Sequence, residues 1–111
     1  MAALFIDLDG TLIHHGQNIL LPGARDLLEK LHSAGHMIVL TTRRGNKEFL
    51  DHPVFSQEAT EQLLSELHLT FDRILFDVPS PRIVINDDGC SAIQVETNKG
   101  VESLIQEREK K

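Results

Sequence analysis

Residues 3–11 read Ala3-Leu4-Phe5-Ile6-Asp7-Leu8-Asp9-Gly10-Thr11. The continuous apolar run Ala2–Ile6, closed by carboxylates and a glycine, predicts a strand buried on both faces of a parallel sheet. Ligands of such sheets bind beyond the carboxyl ends of the strands, so the residues after each apolar run are the informative ones. Asp7 and Asp9 stand at i and i+2, and chain curvature at Gly10 can bring both carboxylates to the sheet's edge.

Four more apolar runs follow, Met37–Leu40, Ile74–Phe76, Ile83–Ile85 and Ala92–Val95. Helical patterns lie between and after them. From Pro22 to Ala34, Ala24, Leu27, Leu28 and Leu31 repeat at i, i+3, i+4 and i+7, with Pro22 in the first turn and Gly35 as the stop. A second helix is predicted over Ser56–His68 and a third over Asn98–Glu109, with a shorter turn near Asn46–Leu50 set apart by Pro53. Strand–helix alternation predicts a doubly wound α/β three-layer sandwich with a mostly parallel five-stranded sheet. Gly10–Leu21 is too long for a simple turn and reads as a hairpin-like excursion.

At 111 residues the chain has room for one domain, 1–111, with a core that needs no covalent staples. The net charge of −6 argues against a broad phosphate-backbone footprint, so no nucleic acid partner is expected. No apolar run approaches a membrane span, and the N-terminus has no basic stretch leading into a signal-like core. Cys90 is the single cysteine, which excludes a disulfide framework and fits a cytoplasmic location; its thiol is expected to pack as a small apolar side chain. His32 and His36 are four apart, but Gly35 breaks the helix that would align them on a zinc ion.

Three strand ends carry the chemistry. The first offers Asp7 and Asp9, the second Thr41-Thr42-Arg43-Arg44, the fourth Asn86-Asp87-Asp88-Gly89. Acids, hydroxyls and guanidinium groups on one rim suit the meeting of a hard cation with an anionic oxygen ligand. Magnesium needs only two or three carboxylates beside its waters. An aspartate can attack phosphorus and split one hard step into two. A second carboxyl can then protonate the leaving alcohol and later deprotonate water.

Asp7-Leu8-Asp9-Gly10-Thr11 after an apolar strand resembles the first motif of the haloacid dehalogenase superfamily of phosphatases. Leu40-Thr41-Thr42-Arg43 resembles its second, and Ile85-Asn86-Asp87-Asp88 its acidic fourth. Order and approximate spacing agree from about Ala3 to Leu104. The resemblance implies Asp7 as nucleophile and magnesium ligand, and Asp9 as general acid/base with its main-chain carbonyl on the metal. It also implies phosphoryl binding by Thr41 with help around Thr42, and Asp87 as third metal ligand, with Asp88 as the alternative. The family's third motif supplies a lysine; here Val78-Pro79-Ser80-Pro81-Arg82 has none, so Arg82 is the candidate replacement, with Lys47, Arg43 and Arg44 as others. Arg43, Arg44 and His14 are candidate substrate contacts.

The expected activity is magnesium-dependent hydrolysis of a phosphomonoester through an aspartyl-phosphate, on a sugar phosphate or related metabolite. No cap domain is expected at this length. Gly10–Leu21 and Arg43–Ser56 alone remain to cover the site, which predicts large substrates or a second copy of the chain acting as lid. Two rivals stand beside this reading. One is a catalytically impaired relative that binds phosphate or a protein partner, suggested by the missing lysine. The other is a receiver-type signalling domain, which accepts phosphate on a mid-sheet aspartate rather than on an Asp-x-Asp of the first strand.

Overall fold

The computed structural model describes residues 1–45 and 55–109. The expected turn at Asn46–Leu50, with Lys47, His52 and Pro53, lies outside the described residues. The elements run β1 (Ala3–Asp7), α1 (Ala24–Ser33), β2 (Met37–Thr41), α2 (Gln57–Glu66), β3 (Arg73–Leu75) and α3 (Glu102–Glu109). The three strands form one parallel sheet in the order β1-β2-β3, with Asp7 opposite Thr41 and Thr41 opposite Leu75. All three strands therefore end at the same rim.

The apolar stripe of α1 lies inward, with Ala24, Leu27, Leu28 and Leu31 buried against a core that includes Leu8, Leu12, Ile13, Ile38, Leu40, Leu64, Val101 and Ile105. Ser56 caps α2 by accepting the Ala59 N–H at 3.1 Å, which satisfies one of the helix's orphan donors. Arg25 of α1 donates twice to the Leu67 carbonyl, at 3.0 and 2.7 Å, and ties α1 to the end of α2. The third helix starts at Glu102 rather than Asn98. Asn98 and Gly100 have φ of 63° and 86°, which no right-handed helix accommodates.

Gly10–Leu21 is hairpin-like, as its sequence suggests. Ile13 pairs with Leu20 in an antiparallel bridge, His14 N–H reaches the Ile19 carbonyl at 2.8 Å, and Leu21 N–H reaches the Leu12 carbonyl at 2.8 Å. Gly16, with φ of 79°, makes its turn.

The expected fourth and fifth strands are not formed. Ile83–Ile85 and Ala92–Val95 carry no strand, and Ile83, Val84, Ile85 and Ile93 are 69–95% exposed. Runs of three or four apolar residues are too short for periodicity to separate a strand from an extended loop, and Pro79 and Pro81 remove ladder donors just upstream. Without a sheet there to receive it, Cys90 is exposed rather than packed. Among the described residues no helix is long and apolar enough to cross a membrane.

Candidate active site

The end of β1 turns sharply. The Leu8 carbonyl accepts the N–H groups of Thr11, Leu12 and Ile13 at 3.4, 3.0 and 2.9 Å, while Leu8 N–H stays on the sheet through the Thr41 carbonyl at 2.9 Å. Gly10, at φ 88°, permits the turn, and a Cβ there would stand 3.2 Å from the Thr97 methyl. Asp7 is thus the last strand residue and Asp9 the second residue of the turn, on the same rim.

Asp7 is half-buried. Its Oδ2 accepts the Thr11 hydroxyl at 3.2 Å, and its Oδ1 forms an ion pair with Arg82, whose other terminal nitrogen donates to the Val78 carbonyl at 3.0 Å. Burial pushes the Asp7 carboxyl above the usual carboxylate value of 3.8. Arg82 and the Thr11 hydroxyl oppose that shift, and the neighbouring Asp9 reinforces it. Arg82 of the linker 78–82 thus stands against Asp7 as a guanidinium.

Asp9 is almost fully buried and gripped on both oxygens. Thr42 donates its hydroxyl to Oδ2 at 2.7 Å, and Arg44 donates to Oδ1 from Nε at 2.9 Å, with a second guanidinium nitrogen at 2.8 Å. Arg44, expected to face substrate, has no accessible surface. An isolated buried guanidinium is costly, so its direction is set by partners: Asp9, Asn18 Oδ1 at 2.9 Å and the Gln17 carbonyl at 3.4 Å, with the Phe55 ring centred 5.0 Å from it. The backbone beyond β2 is held by the end of β3 and the segment after it, through Thr42 N–H to the Leu75 carbonyl and Asp77 N–H to the Arg44 carbonyl at 3.1 and 3.0 Å.

The remaining candidates divide. Thr41 is buried opposite Asp7, Arg43 is half-buried, and His14 sits half-buried in the excursion with Nδ1 3.0 Å from the His15 carbonyl. Asp87 is exposed, its Oδ1 closing a local turn by accepting Asn86 Nδ2 and Gly89 N–H, each at 3.1 Å. Among the described residues no three His, Cys, Asp or Glu side chains stand close enough together to hold a metal ion. Sequence reading missed Asn18 and the Gln17 carbonyl; a lone amide in a polar loop gives no signal of the buried guanidinium it serves.

The first strand of the parallel sheet thus ends in an Asp-x-Asp pair, each carboxylate met by an arginine. Residues 4–72 match the family model of the haloacid dehalogenase-like hydrolases, and the chain belongs to that family. Over 99% of its length it is similar to the crystal structure of a target protein from Vibrio cholerae, covering 98% of that chain at 23% identity with a TM-score of 0.59. Over 81% of its length it is similar to D,D-heptose 1,7-bisphosphate phosphatase from B. bronchiseptica complexed with magnesium and phosphate, at 21% identity and a TM-score of 0.53, spanning 54% of that chain. Both likenesses establish a shared fold. A search of curated proteins gave no match.

Proposed function

We propose that this chain is a phosphatase: a single domain that hydrolyses a phosphomonoester of a small metabolite, such as a sugar phosphate, through an aspartyl-phosphate at Asp7 with magnesium as cofactor. The observation that carries the reading is the Asp7–Arg82 pair, a partly desolvated carboxylate held against a guanidinium at the carboxyl end of a parallel sheet. An incoming phosphoryl group competes for that guanidinium and releases the Asp7 carboxylate for attack. Oxygen of Asp7 bonds to phosphorus as the ester P–O bond breaks, and the leaving oxygen takes a proton from the Asp9 carboxylic acid. Asp9, now a carboxylate, removes a proton from water, which attacks phosphorus and breaks its bond to Asp7, yielding phosphate and the free enzyme. Thr41 supplies a hydroxyl beside the transferred group, while Thr42, whose hydroxyl and N–H are held by Asp9 and the Leu75 carbonyl, orients Asp9.

The donor set suits a hydrated magnesium ion, which keeps several waters and needs few carboxylates. The Asp7 carboxylate would hold it, with the Asp9 main-chain carbonyl as the family resemblance implies. Bound there, magnesium would neutralise charge on the phosphoryl oxygens.

The test is a kinetic screen of phosphorylated sugars, nucleotides and aryl phosphates with magnesium. Turnover is expected, abolished by chelator and by Asp9→Asn. Turnover that survives chelation removes magnesium from the reading, and turnover that survives Asp9→Asn removes the acid/base. The complete engagement of the Asp9 carboxylate favours a second reading, a phosphate-binding protein without hydrolysis; phosphate binding with no turnover across the panel would establish it.

Arg82 gives a separate expectation. Arg82→Ala should raise KM for a phosphomonoester about 10-fold or more, the scale of one lost charge-assisted hydrogen bond. Arg82→Lys should recover part of that loss, since it keeps the charge but not the fork that also binds the Val78 carbonyl. An unchanged KM in both variants would move the phosphate ligand elsewhere.

A further inference from the structure

We infer that Arg44 is a positioning residue that couples the Gly10–Leu21 excursion to the Asp9 carboxylate, so that movement of one requires movement of the other. The inference rests on the phosphatase reading for its kinetic consequence, but its structural core does not. Arg44 has no accessible surface, and a buried charge that loses its counter-charge is expensive. That counter-charge is Asp9; the other acceptors on the guanidinium, Asn18 Oδ1 and the Gln17 carbonyl, are neutral and both belong to the excursion. Across the guanidinium, then, Asp9 and the excursion are one hydrogen-bonded unit.

The grip has a defined polarity. Arg44 N–H donates to the Thr42 hydroxyl oxygen at 3.0 Å, leaving the hydroxyl proton for Asp9 Oδ2 at 2.7 Å. The other oxygen, Oδ1, faces two guanidinium nitrogens. For Asp9 to give a proton to a leaving group, one of its oxygens must leave this set. Arg44 must then follow the carboxylate or rely on the neutral oxygens of Gln17 and Asn18, and either response is felt by the excursion. The bridge between Ile13 and Leu20 makes the excursion move as a unit rather than residue by residue. Phe55, against the guanidinium, adds the residue that leads into α2 to the same contact.

Three variants of the full chain, Arg44→Lys, Asn18→Ala and Asp9→Asn, test the coupling by amide hydrogen exchange and by steady-state kinetics on an aryl phosphate with magnesium. Each is expected to accelerate exchange of amides in residues 12–20, by about 10-fold or more, because each cuts the unit at a different point. In kinetics, Arg44→Lys should lower kcat about 100-fold, the scale of a misplaced catalytic group, while KM moves less than about threefold. Asn18→Ala, which leaves the Arg44–Asp9 pair intact, should lower kcat by about 10-fold with KM again nearly constant. Exchange in 12–20 that is indifferent to Asp9→Asn overturns the coupling. So does a rise in KM at constant kcat for Arg44→Lys, which would make Arg44 a substrate ligand. If Arg44→Lys fails to fold, Asn18→Ala and Asp9→Asn carry the test alone. If the parent chain shows no turnover on any phosphomonoester, the phosphatase reading fails while the exchange measurements still decide the coupling.

Discussion

Asp7→Asn is expected to lower magnesium-dependent phosphomonoester turnover at least about 1,000-fold and, in magnesium-free buffer near pH 7, to raise the melting temperature. The first effect follows from the proposed chemistry. A neutral amide cannot open the covalent route, and loss of about 4 kcal/mol of barrier lowering corresponds to that factor. The second follows from the surroundings of the carboxyl. Burial outweighs the Arg82 pair and the Thr11 hydrogen bond, so the folded protein holds Asp7 less readily as an anion than the unfolded chain does.

A pKa raised on folding means the native state binds the proton more tightly, and its contribution to stability falls as pH rises from the unfolded value through the folded one. At neutral pH the whole penalty is present, and Asp7→Asn removes it. As the pH drops through the raised pKa towards 3.8, protonation relieves the parent chain in the same way, and the difference between the two melting temperatures closes. Arg82, still bonded to the Val78 carbonyl and partly in solvent, is left hydrated rather than stranded. Melting curves at pH 4 and pH 7, with turnover at saturating substrate, check both halves. Turnover within tenfold of the parent would remove Asp7 as nucleophile, and a lower melting temperature at pH 7 would reverse the electrostatic account.

The chain's first forty-five residues were the most legible. The run Ala2–Ile6 is continuous and apolar, the stripe Ala24, Leu27, Leu28, Leu31 has the helical period, and both became elements of the expected type within one or two residues of the expected ends. Each draws its stability from burial, which a hydrophobic pattern encodes directly. The stretch 83–95 failed for the same reason. Ile83, Val84, Ile85 and Ile93 have strand-forming side chains, but a strand exists only through a partner's hydrogen bonds, and β-propensity reports how a residue fits a surface that must already be there.

The site divides in the same way. Asp7 and Asp9 were visible because they follow a strand at the rim where such sheets bind ligands. The roles of the two arginines were not, because a guanidinium's direction depends on acceptors that fold against it from distant positions. Arg44, adjacent to Arg43 and indistinguishable from it in composition, turned inward because Asp9, Asn18 and Gln17 converge there. Arg82, seventy-five positions from Asp7, could be nominated only as a charge of the right sign in the right linker.

Gly100→Ala is expected to cost about 3 kcal/mol or more, a large share of the roughly 5–15 kcal/mol that holds a domain of this size. Gly100 has φ of 86°, where an L side chain pays about 1–2 kcal/mol. Its Cβ would also stand 2.5 Å from the Pro22 carbonyl oxygen and 3.1 Å from the Pro22 nitrogen, atoms of a backbone that cannot rotate away. That same carbonyl accepts the Val101 N–H at 3.0 Å, the bond that seats the start of α3 against the start of α1. Backing off by an ångström would stretch it and draw Val101 and Ile105 from the core. Gly23 sits at the same crossing, where a Cβ would meet the Glu102 nitrogen at 2.8 Å, so the two segments approach closely on both sides of it. Gly16→Ala is the matched comparison: φ is 79° but nothing lies within 4 Å of the added methyl, so only the backbone cost of about 1–2 kcal/mol should appear. Urea unfolding of the two variants separates close approach from torsional strain. Equal losses at both positions would mean that α1 and α3 do not meet as closely as the glycines require.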